Sequence, residues 1–169
     1  MLKVLLNTML IYGYSYAYIG ILLLYSTMEI QQFESMSALD SCAVIATIKS
    51  PAIARKVFRF FRGNNSKIVL QDVVLKEASR ILQITKEDVI KKIGTILRKE
   101  VQVCITTDSM RTEATRYENQ YGICHRPDSK ILVAAKTFSW TLLTMDKKMI
   151  QTAEFEGILA LNPTWMGGN

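Results

Sequence analysis

Histidine is nearly absent from this chain: His125 stands alone among 169 residues. That excludes a histidine-rich metal centre, and it excludes a Cys-His nucleophile backed by a second histidine. Cysteine is scarce too. Cys42, Cys104 and Cys124 are odd in number and fit no zinc spacing. They read as reduced, buried thiols of a cytosolic protein, and not as a disulfide framework. Cys124 and His125 could serve as metal ligands, but a lone adjacent pair is more often structural. There is no internal repeat, low-complexity segment or interdomain linker. The one shift in composition falls near residue 30, dividing the chain into an apolar extension, 1–35, and a domain, 36–169.

Charge is missing altogether from residues 4 to 28, VLLNTMLIYGYSYAYIGILLLYSTM, a run long enough to span a bilayer as a helix. Three readings compete: a membrane anchor, a misassigned start with Met28 or Met36 as the true first residue, and a signal peptide. The last is opposed by Lys3 as the sole basic flank and by the lack of a small-x-small cleavage site. The alternating Tyr12, Tyr14, Tyr16 and Tyr18 are unusual for the centre of a spanning helix, since tyrosine prefers the interface. The expected location is cytoplasmic, with a membrane-anchored chain whose domain faces the cytoplasm as the alternative.

Acid is missing between Asp40 and Asp72, a stretch that holds six basic residues. The whole chain carries a formal net charge of +6. A basic surface around a few clustered acids suits a polyanion, nucleic acid first. The basic face is Arg55, Arg59 and Arg62 at helical spacing, and Lys147 with Lys148 adds to it. The plain alternative for these arginines is the solvated face of an amphipathic helix.

What remains alternates short apolar strands with helices. Strands are expected at Ser37–Leu39, Lys67–Gln71, Val101–Ile105, Thr141–Thr144 and Gly157–Leu161. Helices are expected between them, with Pro51 opening one, Asp72 and Thr85 capping two others, and Lys147–Ala153 forming the last. Ile131, Leu132, Ala135 and Phe138 mark one buried helical face. Such alternation means a parallel sheet of about five strands covered by helices on both faces, a three-layer α/β/α arrangement.

In such a sheet, ligands gather at the carboxyl ends of the strands. Asp40 ends the first strand, Asp146 ends the fourth, and Asp128 opens the helix before the fourth. Glu77 lies one and a half turns into the helix after the second strand. Each acid alone has a bland reading. Asp40, Asp128 and Asp146 are good helix caps, and Glu77 can be a solvated helix residue. Glu87, Asp88, Glu154 and Glu156 read as solvated. Four carboxylates brought to one point would repel unless a cation sat between them, and hard oxygen ligands select Mg²⁺ or Mn²⁺.

In this respect the chain resembles the PIN-domain family. The matching pieces are Leu39-Asp40 before an apolar helix, Glu77 in VVLKEA, Asp128 in RPDSKILVAA, and Thr144 with Asp146 in TLLTMD. The resemblance runs from Met36 to about Pro163. It implies strand order 3-2-1-4-5 and a metal-dependent ribonuclease, either a toxin of a toxin–antitoxin pair or an RNA-processing enzyme. Asp40, Glu77, Asp128 and Asp146 would hold one or two Mg²⁺ or Mn²⁺ ions, with Ser41 and Thr144 in support. Water would attack the phosphorus in line, leaving a 5′-phosphate and a 3′-hydroxyl. An antitoxin or a second copy of the chain is the implied protein partner. Cys42 stands where the family commonly has Asn, and Lys147-Lys148 stand where a further acid often follows. Those departures raise the alternative of a catalytically degenerate scaffold that binds protein or RNA.

Overall fold

A parallel sheet needs a crossover after every strand, and the apolar segments of this chain are spaced to supply one each time. The computed structural model describes residues 35–121 and 126–166. The apolar run 4–28 and the Cys124-His125 pair lie outside them. The elements are β1 (Met36–Leu39), α1 (Ser41–Lys49), α2 (Pro51–Gly63), β2 (Lys67–Gln71), α3 (Asp72–Leu82) and α4 (Lys86–Leu97). There follow β3 (Val101–Cys104), α5 (Asp108–Tyr121), α6 (Arg126–Thr137), β4 (Thr141–Leu143), α7 (Lys147–Phe155) and β5 (Ala160–Leu161). Among the described residues no helix is long and apolar enough to cross a membrane.

The sheet has the order β3-β2-β1-β4-β5, with every pairing parallel. Chain order reverses at β1, so β1 and β4 are neighbours although a hundred residues separate them. Their register sets Leu39 opposite Leu143. The central strands are buried on both faces: Ala38 and Leu39 in β1, Ile68, Val69 and Leu70 in β2, and Leu142 and Leu143 in β4. This is what a sheet between two helical layers requires.

Local chemistry sets the helix starts. The Ser50 hydroxyl caps α2 by accepting from Ile53 N at 3.4 Å, and Pro51 occupies the first turn, where its missing N–H costs nothing. Thr85 caps α4 by accepting from Asp88 N at 3.0 Å, and its hydroxyl donates back to the Asp88 carboxylate at 2.8 Å.

The last three strands are shorter than the sequence suggests, with β5 only Ala160–Leu161, and Asp128 lies in the first turn of α6 and does not open it; four further details differ from the sequence expectation. Asp72 is no cap: Gln71 holds that position without a side-chain bond, and Asp72 lies in the first turn. Its Oδ1 reaches sideways to Thr106 N at 3.0 Å and to the Thr106 hydroxyl, tying the ends of β2 and β3 together. Phe138 lies past the end of α6 and is exposed, stacked on Trp140 at 4.9 Å. The buried part of α6 is the unbroken run Ile131–Ala135, because α5 packs on the helix as well as the sheet. Cys42 and Cys104 are free thiols as expected, but only half-buried. Glu156 is not solvated, and its contacts return below.

Candidate active site at the carboxyl end of the sheet

Parallel pairing of β1 with β4 brings two strand-to-helix junctions side by side, Asp40-Ser41-Cys42 on one and Thr144-Met145-Asp146 on the other. Asp40 follows directly on β1 and is the N-cap of α1, with Oδ1 accepting from Ala43 N at 2.7 Å. Asp146 caps α7 in the same way, accepting from Lys148 N at 2.7 Å and Met149 N at 3.1 Å. The bland cap readings of both aspartates are therefore realised. Capping leaves carboxylates free for a second task, and here it sets two of them next to each other.

Asp40 is only 3% exposed, whereas Asp146 is open to solvent. Burial pushes the Asp40 carboxyl above the ordinary carboxylate range, and the charge of Asp146 adds to the rise. Hydrogen bonds from Cys42, Thr144 and Ala43 work against it. The Thr144 hydroxyl donates to Asp40 Oδ2 at 2.5 Å and accepts from Asp146 N at 3.0 Å, so one side chain joins the two junctions. The Cys42 thiol donates to both Asp40 oxygens, at 3.1 and 2.9 Å, and accepts from Met145 N at 3.3 Å. Burial, and then the neighbouring Asp40 charge, push that thiol up to about 12, so it stays protonated and acts as a donor. A thiol thus fills the donor role that an amide could fill at this place. Among the described residues the Ser41 hydroxyl, buried in the first turn of α1, has no hydrogen-bond partner. An orphaned hydroxyl beside a carboxylate pair is an unmet demand that a hard cation, or water on one, can meet.

Glu77 and Asp128 come to the same end of the sheet from other elements. Helix α6 precedes β4 and runs against it, which places its first turn, with Asp128, over the carboxyl end. Gln71 Nε2, at the end of β2, donates to Lys130 O at 3.4 Å and fixes that turn above β2. Glu77 is half-buried and lies in a cleft of about 400 Å³ lined by Val73, Lys76, Arg80, Pro127 and Lys130. Two separate pairs result: Asp40 with Asp146 at the switch point, and Glu77 with the first turn of α6 beside it. Among the described residues no three His, Cys, Asp or Glu side chains already form a metal cage. Arg55, Arg59 and Arg62 are exposed on α2, and Lys147 and Lys148 are exposed at the head of α7.

The sequence reading overlooked two features. One is the thiol bridge from Cys42 to Asp40, two residues apart at one junction, to which Met145 N donates from the β4 side. The other is the basic lining around Glu77. Its signal was present as Lys76 and Arg80, four residues apart in VVLKEASR.

A five-stranded parallel sheet in this order, wrapped by helices, defines a class of three-layer α/β/α domains with its ligand site at the β1–β4 switch. The PIN domain family matches residues 38–155, well over half of the chain, and the protein belongs to that family. No curated protein sequence matches it. Solved structures share its fold. PAE2754 from Pyrobaculum aerophilum is 14% identical, with 77% of this chain and 92% of that one covered at a TM-score of 0.54. A PilT N-terminus domain protein, SSO1118, from the archaeon Sulfolobus solfataricus P2 is also 14% identical, with 78% and 89% covered at 0.53. FitAcB from Neisseria gonorrhoeae is 17% identical, with 77% and 99% covered at 0.52.

Proposed function

We propose that the protein is a metal-dependent endoribonuclease that hydrolyses RNA phosphodiester bonds, toxin-like or RNA-processing. The observation that carries the reading is the pair Asp40 and Asp146, set side by side at the switch point and joined by Thr144, in a PIN-family chain of nuclease type. Asp40 and Asp146 are the first candidates to hold Mg²⁺ or Mn²⁺, with Glu77 and Asp128 approaching from α3 and α6. When bound, the ion supplies Lewis-acid stabilisation of the charge that develops on the phosphate. The chain's own residues hold the site ready. Ala43 N and Lys148 N fix the two carboxylates as caps, and Thr144 sets the spacing between them. The Cys42 thiol donates to Asp40, and the buried Ser41 hydroxyl, which has no partner among the described residues, would be available to a ligand. A protein partner of antitoxin type, or a second copy, belongs to the same reading. So does the division into an N-terminal extension, 1–35, and a catalytic domain, 36–169.

The test is cleavage of a structured RNA by the purified full-length chain with Mn²⁺, Mg²⁺ or EDTA, beside Asp40→Asn and Asp128→Asn. Metal-dependent cleavage lost in both variants is the expected result. Cleavage that survives EDTA, or is unchanged in Asp40→Asn, overturns the reading.

A second reading rests on a specific observation. Both oxygens of Asp40 already have donors within the chain, and one of the donors is the thiol of Cys42. A PIN scaffold with its first carboxylate satisfied internally binds protein or RNA without cutting. It predicts no thermal stabilisation by Mn²⁺, whereas a nuclease that binds the ion only when folded is stabilised by it.

A further inference from the structure

The cleft beside Glu77 is built from one face of α3 and the first turns of α6. Val73, Lys76, Glu77 and Arg80 follow one another at i, i+3, i+4 and i+7, so all four project from the same side of the helix. Pro127 and Lys130 close the opposite wall. Three cations and one carboxylate line a space of about 400 Å³, which is the scale of a small-ligand site. Among the described residues none of the three cations has an ion-pair partner, although Glu77 follows Lys76 directly and lies one helical turn before Arg80. Lys76 and Arg80 are exposed, and Lys130 is half-buried with its backbone fixed by Gln71. Unpaired cations repel one another, so their collection on facing walls costs free energy until an anion enters. The wall also borders the end of the sheet at which Asp40 and Asp146 stand.

We propose that Lys76, Arg80 and Lys130 form the groove that grips the phosphate backbone of single-stranded RNA and feeds it past Glu77 toward Asp40 and Asp146. The proposal rests on the ribonuclease reading for the direction of the strand, and on the cleft alone for the contact. It relocates RNA binding from the α2 arginines, which are exposed on a helix face, to the walls around Glu77. Long cationic side chains on two different elements can hold a flexible chain from both sides. Such contacts read charge and not sequence, so binding is salt-dependent and tolerant of base identity.

The test is fluorescence anisotropy of a labelled twelve-nucleotide uridine oligomer with the full-length chain in EDTA, titrated between 50 and 200 mM salt. The variant Lys76→Ala/Arg80→Ala/Lys130→Ala is compared with Lys86→Ala/Lys91→Ala/Lys92→Ala, which removes the same charge from α4. The cleft variant is expected to bind about tenfold more weakly, with the salt slope reduced by about 2, as three lost phosphate contacts on a single strand imply. The α4 variant should keep the wild-type slope. Lys76→Arg/Lys130→Arg should restore binding, which separates charge from folding. Equal affinity and slope in wild type and cleft variant overturn the proposal and leave the cleft to an acidic protein segment. Equal losses in both triple variants overturn it too, since only net charge would then matter. Cleavage with Mn²⁺ on the same preparations keeps the two readings apart. If RNA is cut and the cleft variant keeps its KM, the groove falls and the nuclease stands. If nothing is cut and the cleft variant alone loses RNA, the groove stands and the nuclease falls.

Discussion

Glu156, in the turn between α7 and β5, offers the sharpest quantitative check on the fold. Its side chain is 8% exposed and collects three donors: the Tyr117 hydroxyl at 2.7 Å, the Tyr121 hydroxyl, and Lys136 Nζ. These come from α5 and α6, so one carboxylate joins three helices on the β4 side of the sheet. Burial alone would raise its pKa, but the bonds from Lys136, Tyr121 and Tyr117 outweigh burial and hold it at about 2, against an ordinary 4.5. Taken at face value, that difference corresponds to roughly 3 kcal/mol favouring the folded state at neutral pH. The Lys136 side chain is 51% exposed, so water and salt screen its share, and about 1–2 kcal/mol is the realistic figure. Glu156→Gln keeps the shape and an acceptor but removes the charge. Urea melts at pH 7 in about 0.15 M salt should show it less stable by that amount. A folded-state pKa below the unfolded one means that the contribution is whole above about pH 4.5 and fades as pH falls toward 2. The gap between wild type and Glu156→Gln should therefore shrink to less than half by about pH 3. A gap that is absent at pH 7, or the same size at both pH values, would refute the reasoning.

Three further outcomes follow from the same geometry. Tyr117→Phe removes the 2.7 Å bond to Glu156 while keeping a ring that is fully buried, and should cost about 1 kcal/mol by urea melt. Leu143→Ala opens a cavity at a fully buried position next to β1 and should cost about 3–4 kcal/mol, with the loss read as a lower urea midpoint at unchanged slope. Asp146→Ser keeps a cap for α7 and removes a carboxylate, so stability should move by less than about 0.5 kcal/mol. Metal-dependent RNA cleavage by that variant should fall by about a hundredfold or more, and cleavage near the wild-type rate would make Asp146 a cap and nothing else.

Much of this fold was legible in advance because its signals are local. KIVLQ has no polar residue between its ends, and a strand buried on both faces has to read that way. Ser50-Pro51 and Thr85 carry their cap chemistry within three residues. The errors arose where distant chain decides the outcome. Asp72 looks like a cap until Thr106, at the end of β3, takes its Oδ1. Glu156 looks solvated until two tyrosines from α5 and a lysine from α6 close over it. Phe138 continues a helical stripe in sequence, but the helix stops at Thr137 and the ring turns onto Trp140. The site divides in the same manner. Asp40 and Asp146 were readable as residues ending strands, but the Thr144 hydroxyl that joins them and the basic walls around Glu77 depend on neighbours from other elements.

The switch point explains why the cap readings of Asp40 and Asp146 are compatible with the functional reading proposed for them. When a parallel strand passes directly into a helix, the residue at the junction must cap that helix, and aspartate does so well. Two such strands side by side place two capping aspartates side by side, each at the positive end of a helix. The helix termini offset part of the repulsion between them, and burial of Asp40 restores some of it. No special loop is needed to assemble the pair, because the topology that stabilises the domain also delivers its carboxylates. The capping bonds use only one oxygen of Asp146, while Asp40 has both oxygens engaged by Ala43, Thr144 and Cys42. On the metal-dependent reading proposed above, a cation would meet a freer carboxylate at Asp146 than at Asp40. The weakest of the donors to Asp40 is the thiol. On that reading Cys42 would tune how readily the site takes an ion, and Cys42→Asn, which puts an amide donor there instead, is the substitution that measures it.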